Sequence, residues 1–168
     1  MFKKILVCCI LLLLPEILTS EDPINVLKKT QAGGFEYFHY GKDGKPVWKL
    51  TGKEPVFLEN DAIQIQKPIL TFFEKQMKTS SVSSEKAILD GEKKFCKMLG
   101  DVKAKNLEGF NFNSHEMLFN MKENFLTFPS SFKILHEEVS VKANSGSFDI
   151  DQKKLKTEGK SKLIYVQK

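Results

Sequence analysis

The sequence predicts an all-β protein on three observations. Apolar and polar residues alternate through most of its length, Asp-Gly and Asn-Ser-Gly steps separate the alternating runs, and a unit of about thirty residues recurs. The chain has 168 residues, 41% of them hydrophobic and 28% charged, which suits one globular domain with a buried core rather than a disordered or multi-span membrane protein. The formal charge is +5, and all 26 basic residues are Lys. Base-specific nucleic-acid reading leans on bidentate Arg forks, so a chain without Arg is a poor candidate for it.

Residues 1–20 read as an export segment. Lys3 and Lys4 precede an apolar run from Ile5 to Leu14, Pro15-Glu16 interrupts it, and Leu18-Thr19-Ser20 precedes the polar Glu21-Asp22-Pro23. A bilayer-spanning helix needs about 20 apolar residues, so a cleaved signal is expected, with a retained membrane anchor as the alternative. Residues 21–34 form a linker, in which residues 25–31 are expected to be a short helical or irregular lead-in. The domain proper is expected over residues 35–168. Beyond the export segment only Cys96 remains, which leaves no intrachain disulfide and reads as a small strand-resident hydrophobe rather than a nucleophile.

The first strands lie in "FEYFHYGKDGKPVWKL" (residues 35–50), two aromatic-rich runs around Lys42-Asp43-Gly44. Further alternation follows in Ile63-Gln64-Ile65-Gln66, in residues 95–99 and in residues 161–166. Sliding the chain against itself by thirty residues aligns segments that begin at Glu54, Ser84, Ser114 and Asn144. Two columns stay apolar in every copy: Leu58, Ile88, Leu118, Phe148 and Ile65, Phe95, Phe125, Leu155. A third, Phe72, Val102, Phe132, fails only at Lys162. Each unit therefore reads as strand, polar turn, strand and corner, with Pro68, Gly100, Pro129 and Gly159 at or near the corners. A single unit cannot bury its apolar face, but stacked units share a continuous one. The expected architecture is a stacked, two-sheeted roll, open at both ends, with an aliphatic and aromatic lumen suited to an apolar ligand.

Catalytic patterns are missing. His39, His115 and His136 form no HExxH, no Ser in the sequence sits in a nucleophile elbow, and no Gly-rich phosphate loop occurs. In His115-Glu116 and His136-Glu137-Glu138, neighbouring strand residues point to opposite faces. Neither an enzyme nor a metal or other cofactor is expected.

The hairpin "FEYFHYGKDGKPVWKLTG", then "IQIQKPILTFFEK", then "SSVSSEKAILDGEKKFCKMLGDVKA" closely resemble the LptC family of lipopolysaccharide export over residues 33–166. The resemblance implies an open-ended β-jellyroll (a β-taco) in the periplasm at the inner membrane. It would accept lipopolysaccharide from an inner-membrane ABC transporter and pass it to the next, LptA-like jellyroll. The short apolar run ending in Pro15-Glu16 departs from the retained helix usual in that family and suits a soluble LptA-like link. A secreted β-solenoid with a packed, dry core is the reading from another class.

On this basis Leu58, Ile65, Phe72, Ile88, Phe95, Val102, Leu118, Phe125, Phe132, Phe148 and Leu155 are expected to line a lipid trough. Lys93, Lys94, Lys153 and Lys154, at the turns, are either contacts for phosphorylated head groups at the rim or plain solvated turn residues. Tyr37, Tyr40 and Trp48 form a surface for docking the transporter, unless Trp48 plugs the end of the core. Lys162, Leu163, Ile164, Tyr165 and Val166 form an edge strand on which the next jellyroll adds its own first strand, unless the lysines there blunt the edge.

Overall fold

The computed structural model describes residues 25–29, 34–58, 61–106 and 109–165. The export segment and Val166 lie outside them. The strands are β1 (Asn25–Lys29), β2 (Gly34–Tyr40), β3 (Pro46–Phe57), β4 (Ala62–Glu74), β5 (Met77–Ser83), β6 (Lys86–Asp90), β7 (Phe95–Asn106), β8 (Asn111–Asn120), β9 (Phe125–Phe128), β10 (Phe132–His136), β11 (Val139–Asp149) and β12 (Lys154–Tyr165). All pairings among the described strands are antiparallel and join sequence neighbours or strands one apart (β4 with β6, β5 with β7, β8 with β10, β9 with β11), giving one continuous sheet that runs from β1 to β12. Residues 25–29 pair with 35–39 as strand β1, so the helical or irregular lead-in expected there is replaced by a strand that lengthens the sheet by one.

Bends fold this sheet into two layers. Lys67 (φ 48°) precedes the fully buried Pro68, Gly100 (φ 73°) and Asp101 (φ 44°) break β7, and Gly159 (φ 72°) turns β12. Pairing register shifts at the same level, between Leu99 and Val102 and between Ala143 and Ser145. The fourth corner separates β9 from β10 at Pro129. Successive corners are tied together, since the Lys67 N–H donates to the Glu85 carbonyl and the Glu85 N–H to the Gly100 carbonyl, both at 2.9 Å. At φ 73° glycine carries the least strain, and a Cβ on Gly100 would displace the Glu85 side chain, so glycine is favoured at this corner.

The hairpin turns stack in the same manner. The Lys93, Glu123 and Gln152 N–H groups donate to the side chains of Asp90, Asn120 and Asp149 at 2.8, 3.1 and 2.8 Å. Lys94, Asn124 and Lys153 close the three turns at φ 56°, 52° and 53°. The Met121 N–H then donates to the Lys94 carbonyl and the Ile150 N–H to the Asn124 carbonyl, linking each turn to the one before.

Aromatic contacts join the layers. Trp48 and Phe72, from the layer containing the first hairpin, meet Phe119 of the other layer edge-on at 5.7 and 5.2 Å. Phe112 and Phe128 lie 4.4 Å apart between centroids.

Candidate functional site

The inner face of each layer is a cross-strand column. In one layer Phe57, Ile63, Leu89, Cys96, Phe119, Leu126, Phe148 and Leu155 follow one another across successive pairings. In the other, Tyr37, Leu50, Leu70, Val82, Ala104, Phe112, Ile134, Val141 and Leu163 do the same. Ile65, Ala87, Met98 and Met117 form a third inner row beside the first.

Burial along these columns is uneven. The middle is packed, with Leu50, Ile65, Leu70, Met98, Met117, Val102 and Phe119 all at 0% exposure. Toward β12 the interior opens: Ile134, Phe148 and Leu155 are half-buried, and Leu163 and Tyr165 are 60% and 73% exposed. Phe57, at the other end of its column, is 63% exposed. The interior is therefore packed at the waist, with apolar side chains exposed at Phe57 at one end and at Leu163 and Tyr165 at the other.

Ile65, Phe72, Val102, Phe132, Phe148 and Leu155 lie on this inner side, buried or half-buried. Ile88, Phe95, Leu118 and Phe125 do not, and their placement in the trough is corrected. Each is half-buried between two residues of the inner face (Ala87 and Leu89 flank Ile88, Met117 and Phe119 flank Leu118) or just before one, and alternation turns it outward. Leu58 is exposed next to the inner-column Phe57 and is corrected likewise. The repeat itself explains the error. Its turn-capping residues are spaced 120 − 90 = 30 and then 149 − 120 = 29, so a uniform slide of thirty mixes the two faces, and one residue of slip in a strand inverts it. The residues missed were Leu89, Cys96, Met98, Met117, Phe119, Leu126 and Phe128. Anchoring the alignment on Asp90, Asn120 and Asp149 recovers Leu89, Phe119 and Phe148 as equivalents.

Trp48 is 2% exposed and lies between Tyr37 (5.6 Å) and His39 (5.1 Å), with Phe119 edge-on. It is a core residue and offers no contact area to a partner, so its place in a docking surface is corrected. Tyr37 and Tyr40 are half-buried. Burial raises the Tyr37 hydroxyl above its ordinary pKa, and burial, followed by the Lys94 charge, lowers that of His39. The Cys96 thiol is wholly buried and its pKa is pushed up to about 12, which makes it inert as a nucleophile at neutral pH. Among the described residues no group of His, Cys, Asp and Glu is arranged to hold a metal ion.

β12 pairs only with β11 among the described strands, so Lys162, Leu163, Ile164 and Tyr165 present one unpaired side. Of the turn lysines, Lys93 pairs with Asp90 at 3.2 Å, and Lys94, Lys153 and Lys154 are exposed.

Fold and lumen together define a β-jellyroll with an apolar interior and open ends. A family model described as "Lipopolysaccharide-assembly, LptC-related" matches residues 5–165, and the chain belongs to that family. The family consists of non-enzymatic components of lipopolysaccharide transport, and the chain is not an enzyme. Among solved structures, the chain is similar to the crystal structure of LptH, the LptA homologous periplasmic component of the conserved lipopolysaccharide transport device from Pseudomonas aeruginosa. The TM-score is 0.58 at 6% identity, over 71% of this chain and 95% of that one, a likeness of fold. A search of curated proteins finds no match.

Proposed function

We propose that this chain accepts lipopolysaccharide from an inner-membrane ABC transporter and passes it to an LptA-like jellyroll in the periplasm, carrying the acyl chains between its two layers. The observation that carries the reading is the pair of unbroken inner columns, exposed at Phe57 on one side and at Leu163 on the other. Burying each methylene is favourable by about 0.8 kcal/mol, so an acyl chain of about a dozen carbons gives up roughly 10 kcal/mol if it crosses water unshielded. A carrier must therefore offer apolar surface without a gap. Met98 and Met117 at the waist are unbranched and adaptable, which suits an interior that parts for a guest and closes behind it.

Residues 1–20 hold the domain at the inner membrane or direct its export. The hairpin of β2 and β3, extended by β1, stands before the repeats and supports the LptC-like role over a soluble LptA-like link. The packed waist favours a second reading, a secreted β-solenoid with a purely structural core. Lipid mass spectrometry of the mature protein purified from a lipopolysaccharide-producing envelope separates the two. Lipid A species at near-stoichiometric amounts are expected, and a protein free of lipid, or carrying only phospholipid, supports the structural module.

A further inference from the structure

The strands cross from one layer to the other at the corners, so the hairpin ends of both layers lie on the opposite side. β4 runs from Ala62 in the layer of Phe119 through Lys67 and Pro68 to Glu74 in the other, and β7 runs from Phe95 through Gly100 to Asn106. Main-chain bonds at these free ends stay within a layer. The Met121 and Ile150 N–H groups reach neighbouring turns of the first layer; in the second, the Asn106 N–H donates to the Phe110 carbonyl at 3.2 Å and the Phe110 N–H to Asn106 Oδ1 at 2.9 Å.

Side chains cross the gap. Phe119, one residue before the Asn120 cap, meets Trp48 and Phe72 at interplanar angles of 84° and 81°, and both partners stand near an end of their strand. The Lys94 charge of the preceding turn acts on His39 across the same seam. Further along, the free ends of the second layer carry Phe110 and Tyr165, 39% and 73% exposed, and Phe110 stacks on His136 of its own layer at 3.9 Å. There the layers meet deeper, through Phe112 and Phe128. The seam is clasped at Phe119 and exposed toward β12.

We propose that Phe119 is the gate of the lumen. Its contacts with Trp48 and Phe72 break and re-form while corners and ladders stay intact, and this parting lets an acyl chain pass the packed waist. Separating strands within a layer would orphan main-chain N–H and C=O groups, whereas parting the layers at the seam breaks side-chain contacts and leaves the ladders whole. Met117, two residues before Phe119, and Met98 opposite it are unbranched and can re-pack as the ring moves. The guest rests on the function proposed above; the parting itself does not.

Cys96 lies directly opposite Phe119, is 1% exposed and is the one cysteine beyond residue 20, so its thiol reports the parting. The test is native-state labelling of Cys96 in the mature protein by methyl methanethiosulfonate, read by peptide mass spectrometry across low denaturant concentrations. A local opening exposes the thiol with little dependence on denaturant, and global unfolding exposes it with the full dependence. Labelling roughly tenfold or more above what global unfolding allows is expected, with the weak dependence. Phe119→Leu keeps an apolar side chain but removes the ring contacts, and should speed labelling about tenfold beyond its change in global stability. Labelling that tracks global unfolding in both proteins overturns the proposal and leaves Phe119 an ordinary core residue. Local labelling that Phe119→Leu does not alter overturns it too, because the thiol is then reached by another route. Local opening in a protein that purifies without lipid A keeps the gate and removes the transport reading; bound lipid A with Cys96 exposed only by global unfolding removes the gate alone.

Discussion

Trp48→Ala is expected to destabilise the protein by about 3–5 kcal/mol and to lower Tm by about 10–15 °C. Trp48 fills the space between the first hairpin and the opposite layer, with Tyr37, His39 and Phe119 on its rings, and is 2% exposed. Truncation leaves a cavity that rigid strands on three sides cannot close. Transporter binding should then fall only in proportion to the unfolded fraction. Thermal denaturation beside a binding assay decides the matter: an unchanged Tm with lost transporter binding returns Trp48 to the surface role that the buried geometry denies it.

The second large effect is expected at the C-terminal edge. If the next jellyroll adds a strand to β12, its main-chain bonds reach the N–H groups that point away from β11. In an antiparallel pair these directions alternate residue by residue, so of Leu163→Pro and Ile164→Pro one removes a donor to the free side and the other a donor to β11. The first variant is expected to fold with the wild-type Tm and to lose capture of the next jellyroll in a pull-down. The second is expected to lower Tm. Capture that survives in both variants places the junction elsewhere.

Fold class, corners and stacking were legible in the sequence because each has a local cause. Alternation at residues 63–66 and 95–99 marks strands, and Pro68, Gly100 and Gly159 stand where the backbone must bend or take positive φ. The inner wall was only half legible. Ile88 and Leu89, or Leu118 and Phe119, are adjacent apolar residues, and composition alone does not say which of them turns inward. The capped turns decide it, since the inner residue is the one just before Asp90, Asn120 and Asp149, and the last two caps are 29 rather than 30 residues apart. Trp48 misled for a related reason: an aromatic hairpin reads alike whether it meets a partner or its own opposite layer.

The central claim is that lipid travels between the layers. It is tested most directly by placing a photo-reactive residue in turn at Phe148, Leu155, Ile88 and Phe125 of the exported protein and irradiating cells that are transporting lipopolysaccharide. Phe148 and Leu155 are half-buried on the inner face near the open end, and Ile88 and Phe125 are half-buried on the outer face. Lipopolysaccharide adducts are expected at Phe148 and Leu155 and not at Ile88 or Phe125. Equal adducts on both faces, or adducts on the outer face alone, would contradict transport through the lumen.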